Sequence, residues 1–177
     1  KIFVKVVKTG QDAIINYIFK SPPLLIAFAS QAGDLLDSVK IYTQEDFVYG
    51  NLRCEKAVEK KHKGYNCAQA VACSFCKEAS MDEDTLKKIT QGFGAGLGTM
   101  AGHAEHLGAA VVAGLINQDK AGTSQTVRSV MNQFKQQNGT VICKDLKGVE
   151  TGKVIRSCDD CVRDAVKFLE DALKSEN

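Results

Sequence analysis

Cysteine residues are the main source of chemistry in this sequence. Seven occur in 177 residues, and two pairs have C-x-x-C spacing: Cys54, Cys67, Cys73, Cys76, Cys143, Cys158 and Cys161. Because thiolates are both soft metal ligands and nucleophiles, paired cysteines are typical of metal sites and of thiol–disulfide couples. An odd number in a chain of this length argues against a secreted disulfide framework. The sequence therefore indicates a metal centre, a redox couple or, for some of the seven, packing in the core.

The pair Cys158 and Cys161 lies at the start of the last predicted helix, with Ser157 as N-cap. Backbone N–H groups at a helix N-terminus stabilise a thiolate, so this pair is a candidate catalytic couple. The intervening Asp159 and Asp160 oppose thiolate formation, and no βαβ unit with a downstream proline surrounds the motif, which argues against a thioredoxin fold. Both a disulfide couple and two ligands for a metal stay open.

The second C-x-x-C motif, Cys73 and Cys76, lies within a predicted helix over residues 66–79. Cys67 on the same helix points about 120° away from Cys73 in a regular turn, so the three cannot chelate one ion together. Free cysteine also packs as a small hydrophobe. Packing is therefore the favoured interpretation for Cys73 and Cys54.

Two histidines, His103 and His106, stand three residues apart near the start of a predicted helix over residues 101–117. This spacing permits both imidazoles to bind one metal ion, with Glu105 orienting them. A capping or core role is an equal alternative for His106.

The glycine run at residues 92–98 does not match a dinucleotide-binding loop, because a helix precedes it and its spacing differs from G-x-G-x-x-G. Close backbone packing or a bend is the better interpretation. Backbone N–H groups of Gly94, Gly96 and Gly98 are candidates to donate hydrogen bonds to the sulfur of a bound centre.

The pattern predicts a mostly α protein, a compact bundle of six to seven helices with at most a minor β ribbon between residues 140–142 and 153–155. Residues 1–50 are expected to form an N-terminal helical extension, with helices at 11–19 and 24–39. Residues 51–177 form the cysteine-rich domain. Its helices are expected at 52–61, 66–79, 82–91, 101–117, 124–137 and from Ser157 to about Lys174.

Composition limits the partners. The formal net charge of +2 gives no electrostatic footprint for nucleic acid, and no apolar stretch is long enough for membrane insertion. The odd cysteine count favours the reducing cytoplasm. Because the chain starts at Lys1 rather than Met, an export signal could have been removed and a periplasmic location stays open.

Several segments from Gly64 onward carry a family resemblance: Gly64–Val71, Gly92–Gly98, Gly108-Ala109, Asn138–Gly148 and Cys161–Ala165. In this order they resemble the redox-active family named for its C…GCAxxG…C…C motif. The domain is also similar to that of the split-Soret cytochromes c, although no C-x-x-C-H haem motif occurs here. The resemblance implies a redox role for Cys67, Cys143 and Cys161. The chain departs from the pattern at His103, which stands where the family has a cysteine.

Three hypotheses follow. The first is an electron-transfer protein with an iron–sulfur cluster bound by Cys67, Cys143, Cys161 and His103, with Cys158 as an alternative ligand. The second is a thiol–disulfide oxidoreductase that cycles Cys158 with Cys161, or Cys67 with Cys143. The third is a structural zinc site in a helical interaction domain. The redox hypotheses require an unidentified redox partner protein, and a homodimer is compatible with all three.

Overall fold

The computed structural model describes the backbone of residues 3–9, 12–18, 25–30, 40–42 and 44–174, and the side chains of residues 52–174. The chain divides into two compact units, Lys1–Asn51 and Leu52–Asn177. In the described part of the chain, none of the helices is long and apolar enough to cross a bilayer.

The first unit contains an antiparallel sheet whose strands pair in chain order: β1 Phe3–Thr9, β2 Asp12–Ile18, β3 Leu25–Ser30 and β4 Lys40–Tyr42. In its register Asp12 pairs with Thr9 on one side and with Ser30 on the other. The helical extension predicted here is wrong at residues 12–18 and 25–30, which are strands. The rest of those two predicted helices lies outside the described residues, at positions 11, 19, 24 and 31–39. The segments are short and rich in Val and Ile, which favour strands, and periodicity alone does not separate a short apolar strand from a helix.

Between residues 44 and 174 the regular elements are all helices, which confirms the mostly α architecture. They are α1 Gln44–His62, α2 Cys67–Ala72, α3 Glu83–Ile89, a 3₁₀ turn Gln91–Phe93, α4 Gly94–Leu97, α5 Ala104–Asn117, α6 Lys120–Asn138, α7 Cys143–Leu146 and α8 Cys158–Lys174. The minor ribbon does not form, because residues 140–142 and 153–155 are loop. The second loop instead returns to α7, where the N–H of Ile155 donates to the carbonyl of Leu146 over 2.9 Å.

The core of the helical unit forms around α8. Its apolar stripe is buried as predicted, with Val162, Val166 and Leu169 fully enclosed and Leu173 packed against the same cluster. Phe134 of α6 is among the fully buried partners of this stripe. Full burial of each such side chain stabilises the fold by about 1.5–3 kcal/mol, so the packing of α8 fixes the position of its first turn.

Candidate functional site

The described structure brings two cysteines from distant parts of the sequence to one site. Cys67 is the first residue of α2 and Cys158 is the first residue of α8. Interaction between the two thiols lowers the pKa of Cys158 and raises the pKa of Cys67. Both cysteines are free thiols and both are partly buried. This pairing differs from the two pairings expected from the sequence, which joined Cys158 to Cys161 and Cys67 to Cys143.

A capping box fixes the position of Cys67. The Asn66 side chain accepts the N–H of Gln69 over 2.9 Å, and the Gln69 side chain accepts the N–H of Asn66 over 2.9 Å. The Asn66 amide also donates to the carbonyl of Gln91 over 3.0 Å. These bonds satisfy donors that a helix N-terminus otherwise leaves free. The first residue of α2 is therefore tied both to its own helix and to the turn before α4.

Close packing of α2 on α5 holds the same end of the site. Gly108 of α5 lies so near α2 that a Cβ built on it would stand 2.3 Å from the carbonyl oxygen of Ala68. Only glycine permits this approach of two backbones. The glycine thus allows α2 to pack directly against α5 at Ala68, the residue after Cys67.

Capping and a buried ion pair fix the position of Cys158. Ser157 accepts the N–H of Asp160 over 3.0 Å, which confirms Ser157 as the N-cap. The guanidinium of Arg156 forms two hydrogen bonds with the buried carboxylate of Asp164, of 2.9 and 2.8 Å. Bidentate pairs of this kind add geometric specificity. The loop before Cys158 is therefore fastened to the second turn of α8.

The surroundings of Cys158 favour its thiolate. Interaction with the Cys67 thiol and the charges of Lys147 and Lys61 lower the pKa of the Cys158 thiol to about 5, against the effect of burial. The interaction with Cys158, together with burial, raises the pKa of the Cys67 thiol. The pair thus gives up its first proton readily and holds the second. Its position at the start of the 17-residue α8 adds the favourable helix dipole.

Two further cysteines lie beside this pair but are shielded from ionisation. Burial and the charge of Glu105 raise the pKa of the Cys161 thiol to about 12 and raise the pKa of Cys143. The backbone N–H of Ala104 at the start of α5 lowers the pKa of Cys143 against these effects. Cys161 accepts a hydrogen bond from the Lys147 ammonium over 3.3 Å. Of these four cysteines, Cys158 alone has a lowered pKa.

The two histidines and Glu105 add buried polar atoms next to the cysteines. His103 precedes α5 and its ring contacts the His106 ring edge-on, with centroids 5.7 Å apart. Burial lowers the pKa of His106 to about 3, and burial raises the pKa of Glu105. Four of their buried atoms have no hydrogen-bond partner: His103 Nδ1, Glu105 Oε1, His106 Nδ1 and His106 Nε2. His106 packs edge-on against Phe134 at 4.4 Å, so it serves as a neutral core residue.

The glycines predicted to contact a cofactor take part in backbone packing. A Cβ on Gly96 would lie 2.6 Å from the backbone of Gly102, and one on Gly94 would lie 3.1 Å from the Asn66 side chain. The N–H of Gly98 donates to the carbonyl of Gly94 within the same turn. These contacts agree with close packing, and a contribution of Gly94, Gly96 and Gly98 to a bound cofactor stays a prediction.

The predicted metal ligands do not form a ligand set in the arrangement that is described. Across the described side chains, no group of three or more His, Cys, Asp or Glu residues is placed to hold a metal ion. The ammonium of Lys147 lies 3.3 Å from the Cys161 sulfur. Metal binding by Cys67, His103, Cys143, Cys158 and Cys161 stays a prediction.

The remaining cysteines lie away from the site. Cys54 and Cys73 are buried in two different apolar clusters. Cys76 is partly buried, and its thiol donates to the carbonyl of Cys73 over 3.3 Å. Burial is the largest cause that raises the pKa of all three thiols. They are structural thiols by the usual criterion of exposure and acidity.

Sequence reasoning missed two features of the site. The Cys67–Cys158 pairing joins helices that are distant along the chain, and Lys147 carries no motif. The signal for the pairing was that both cysteines directly follow an N-cap residue, Asn66 and Ser157. No local signal marks Lys147.

Comparison with known proteins gives one match. The model of the family described as "Putative redox-active protein (C_GCAxxG_C_C)" matches residues 65–172, more than half of the chain. No curated protein and no solved structure matches.

Proposed function

Because the chain belongs to the C_GCAxxG_C_C family of redox-active proteins, we propose that it carries out thiol–disulfide exchange through Cys158 and Cys67. Cys158 is the attacking thiolate and Cys67 is the resolving thiol. The observation that carries this proposal is the position of the two cysteines as the first residues of α2 and α8, where interaction with Cys67 lowers the pKa of Cys158.

The chemistry requires an available thiolate and a second thiol beside it. A pKa of about 5 leaves Cys158 almost fully ionised at neutral pH. Cys158 is also partly exposed, so a substrate can reach its sulfur. Interaction with Cys67 is the largest cause of the low pKa of Cys158, which makes Cys67 the candidate resolving thiol.

The reaction balances with a disulfide as the oxidant. The Cys158 thiolate attacks one sulfur of R–S–S–R, forms a mixed disulfide and releases RS⁻. Cys67 then transfers its proton to this thiolate and attacks Cys158, which releases a second RS⁻ and closes the Cys67–Cys158 disulfide. Two electrons pass from the protein to the disulfide, and a dithiol partner reverses the process.

The metal hypotheses predict different properties. An iron–sulfur cluster would give visible absorption and iron in near-stoichiometric amount, and a structural zinc site would give zinc whose removal unfolds the domain. Elemental analysis of the purified chain therefore separates both from the thiol proposal, which expects reversible oxidation of metal-free protein.

Alkylation of each cysteine across a pH series tests the proposal. The reduced protein is treated with iodoacetamide between pH 4 and 9, and the modification of each peptide is measured by mass spectrometry. Cys158 should react with a midpoint near pH 5. Cys76 is the internal control, because it is also partly buried but its pKa is raised.

The variant Cys67→Ala should move the Cys158 midpoint upward, because it removes the thiol whose interaction lowers the pKa of Cys158 most. If Cys158 in the parent chain reacts with a midpoint between pH 8 and 9, as an ordinary thiol does, the proposed function is wrong.

A further inference from the structure

The loop between α7 and α8 exposes much of the apolar surface of the helical unit. Among the described side chains six large apolar ones are exposed, and the four most exposed are Leu97, Val149, Val154 and Ile155, at 58%, 60%, 60% and 55%. Three of these four belong to one loop over residues 149–155, in which every residue is exposed. Exposed apolar surface that is concentrated in one place is typical of an interaction site.

Backbone contacts hold this loop in one conformation. The N–H of Gly152 donates to the carbonyl of Gly148 over 2.7 Å, and a Cβ built on Gly148 would stand 2.1 Å from the carbonyl oxygen of Lys153. The N–H of Ile155 donates to the carbonyl of Leu146 over 2.9 Å, which fastens the end of the loop to α7. The apolar side chains therefore stand on a closed turn, and such pre-organisation reduces the entropy lost on binding.

The glycine-rich segment that carries Leu97 is joined to the same loop. The carbonyl of Met100 accepts the N–H of Lys144 over 2.9 Å, and the carbonyl of Lys144 accepts the N–H of Val149 over 3.0 Å. Two backbone hydrogen bonds thus connect the segment of Leu97 to the loop of the other three side chains. We call the four side chains the apolar patch: Leu97, Val149, Val154 and Ile155.

The exposed charges of α7 and the loop are balanced. Lys144 and Glu150 form an ion pair over 3.1 Å, with both side chains exposed. Asp145 and Lys153 are also exposed, and neither belongs to an ion pair found among the described side chains. Two cations and two carboxylates therefore accompany the apolar patch, and one group of each sign is without a charged partner.

This balance favours a second copy of the chain as the molecule that covers the patch. In a two-fold dimer the same surface faces itself, so a patch with net charge would repel its copy. Here Asp145 of one copy can pair with Lys153 of the other, and symmetry forms this pair twice. A nucleic acid or an acidic protein would instead require a surplus of cations, which these four groups do not provide.

We propose that the chain forms a two-fold symmetric dimer through the apolar patch, with an Asp145–Lys153 ion pair on each side of it. An apolar core surrounded by polar groups is the usual composition of a protein interface. This dimer goes beyond the proposed function and does not depend on the thiol chemistry.

Sedimentation equilibrium of the full chain in excess thiol reductant measures the association, because the reductant excludes disulfide-linked dimers. The parent chain should associate reversibly at concentrations up to about 1 mM. Val154→Asp places a charge in the apolar core twice per dimer and should raise the Kd at least roughly ten-fold. Ile89→Asp on α3 is the control, since Ile89 is an exposed apolar residue outside the patch, and it should leave the Kd unchanged.

Exchange of the two unpaired charges tests the ion pair directly. Asp145→Lys and Lys153→Asp, each made alone, bring like charges together across the interface and should weaken the dimer. The variant with both substitutions restores opposite charges and should recover the parent Kd. This recovery separates a direct contact from a loss of folding, because a misfolded single variant would not be rescued by a second substitution.

A parent chain that sediments as a monomer up to about 1 mM overturns the proposal and leaves the patch to a different protein. An equal Kd for the parent and for Val154→Asp also overturns it, because another surface would then hold the two copies together. If Val154→Asp does not fold, judged by circular dichroism, the exchange of charges decides. A double variant that associates no better than the single ones refutes the proposed interface.

Discussion

The contact between α2 and α5 gives a sharp prediction for the substitution Gly108→Ala. The new Cβ would stand 2.3 Å from the carbonyl oxygen of Ala68 and 3.0 Å from its Cα and carbonyl carbon. All three atoms are backbone, so no side chain can rotate away. The helices must separate by about 0.7 Å to reach the 3.0 Å below which Cβ contacts essentially do not occur.

The expected loss follows from two opposing effects. Overpacking against rigid neighbours costs typically 1–3 kcal/mol, and a backbone clash belongs at the upper end of this range. The gain in helix propensity from glycine to alanine offsets about 1 kcal/mol. We therefore expect the free energy of unfolding to fall by about 2 kcal/mol. Because α2 begins with Cys67, its displacement should also weaken the interaction of Cys67 with Cys158 and raise the pKa of Cys158.

Urea unfolding of the parent chain and of Gly108→Ala measures the first effect, and alkylation of Cys158 against pH measures the second. Gly114→Ala is the matched control on α5, since its Cβ would meet only Thr123 Cγ2 at 3.9 Å. This control should be stabilised by up to about 1 kcal/mol and keep the parent pH profile. Equal or greater stability of Gly108→Ala would refute the reasoning about the helix contact.

Three further predictions concern stability. Asp164→Ala removes the buried partner of Arg156 and should lower the free energy of unfolding by about 3 kcal/mol in urea titration; a loss below about 1 kcal/mol would contradict the network. Because folding lowers the pKa of Cys158 from its ordinary value to about 5, the contribution of Cys158 to stability is lost as the pH falls from about 9 to 5. Cys158→Ser should therefore reduce the loss of unfolding free energy between pH 8 and 6 by about 1–2 kcal/mol, a range that allows for solvent screening. An unchanged dependence of the unfolding free energy on pH would contradict the thiolate. Folding also lowers the pKa of His106 to about 3, so protonation of the unfolded chain lowers the free energy of unfolding below about pH 6.5. His106→Phe should remove about 2 kcal/mol of this loss between pH 7 and 5. The same acid sensitivity in both chains would exclude His106 as its source.

Much of the helical unit could be predicted from local signals. The stop at Asn138-Gly139 and the cap at Ser157 are side-chain and backbone features that act within a few residues, and both stand where the structure ends or begins a helix. The start of α5 was less accurate, because the non-helical backbone before His103 depends on packing of Gly96 against Gly102. The strands of the first unit were missed because short Val- and Ile-rich runs fit either state.

The composition of the site was predictable, while its pairing was not. The family pattern pointed to Cys67, Cys143 and Cys161, and the C-x-x-C spacing pointed to Cys158 and Cys161. The proximity of Cys67 and Cys158 depends instead on how α8 and α2 pack, which no spacing along the chain encodes. The contact of the Lys147 ammonium with the Cys161 sulfur likewise depends on the carbonyl of Arg156, which the ion pair with Asp164 holds in place.

The most direct test of the account is the identity of the disulfide that forms first. The reduced, metal-free chain is oxidised with a small excess of a low-molecular-weight disulfide, remaining thiols are blocked in acid, and the linked peptides are mapped by mass spectrometry. The account predicts a Cys67–Cys158 disulfide that a dithiol reduces again, with Cys73 and Cys76 still free. A first disulfide between Cys158 and Cys161 or between Cys67 and Cys143, or no reversible disulfide at all, would contradict it.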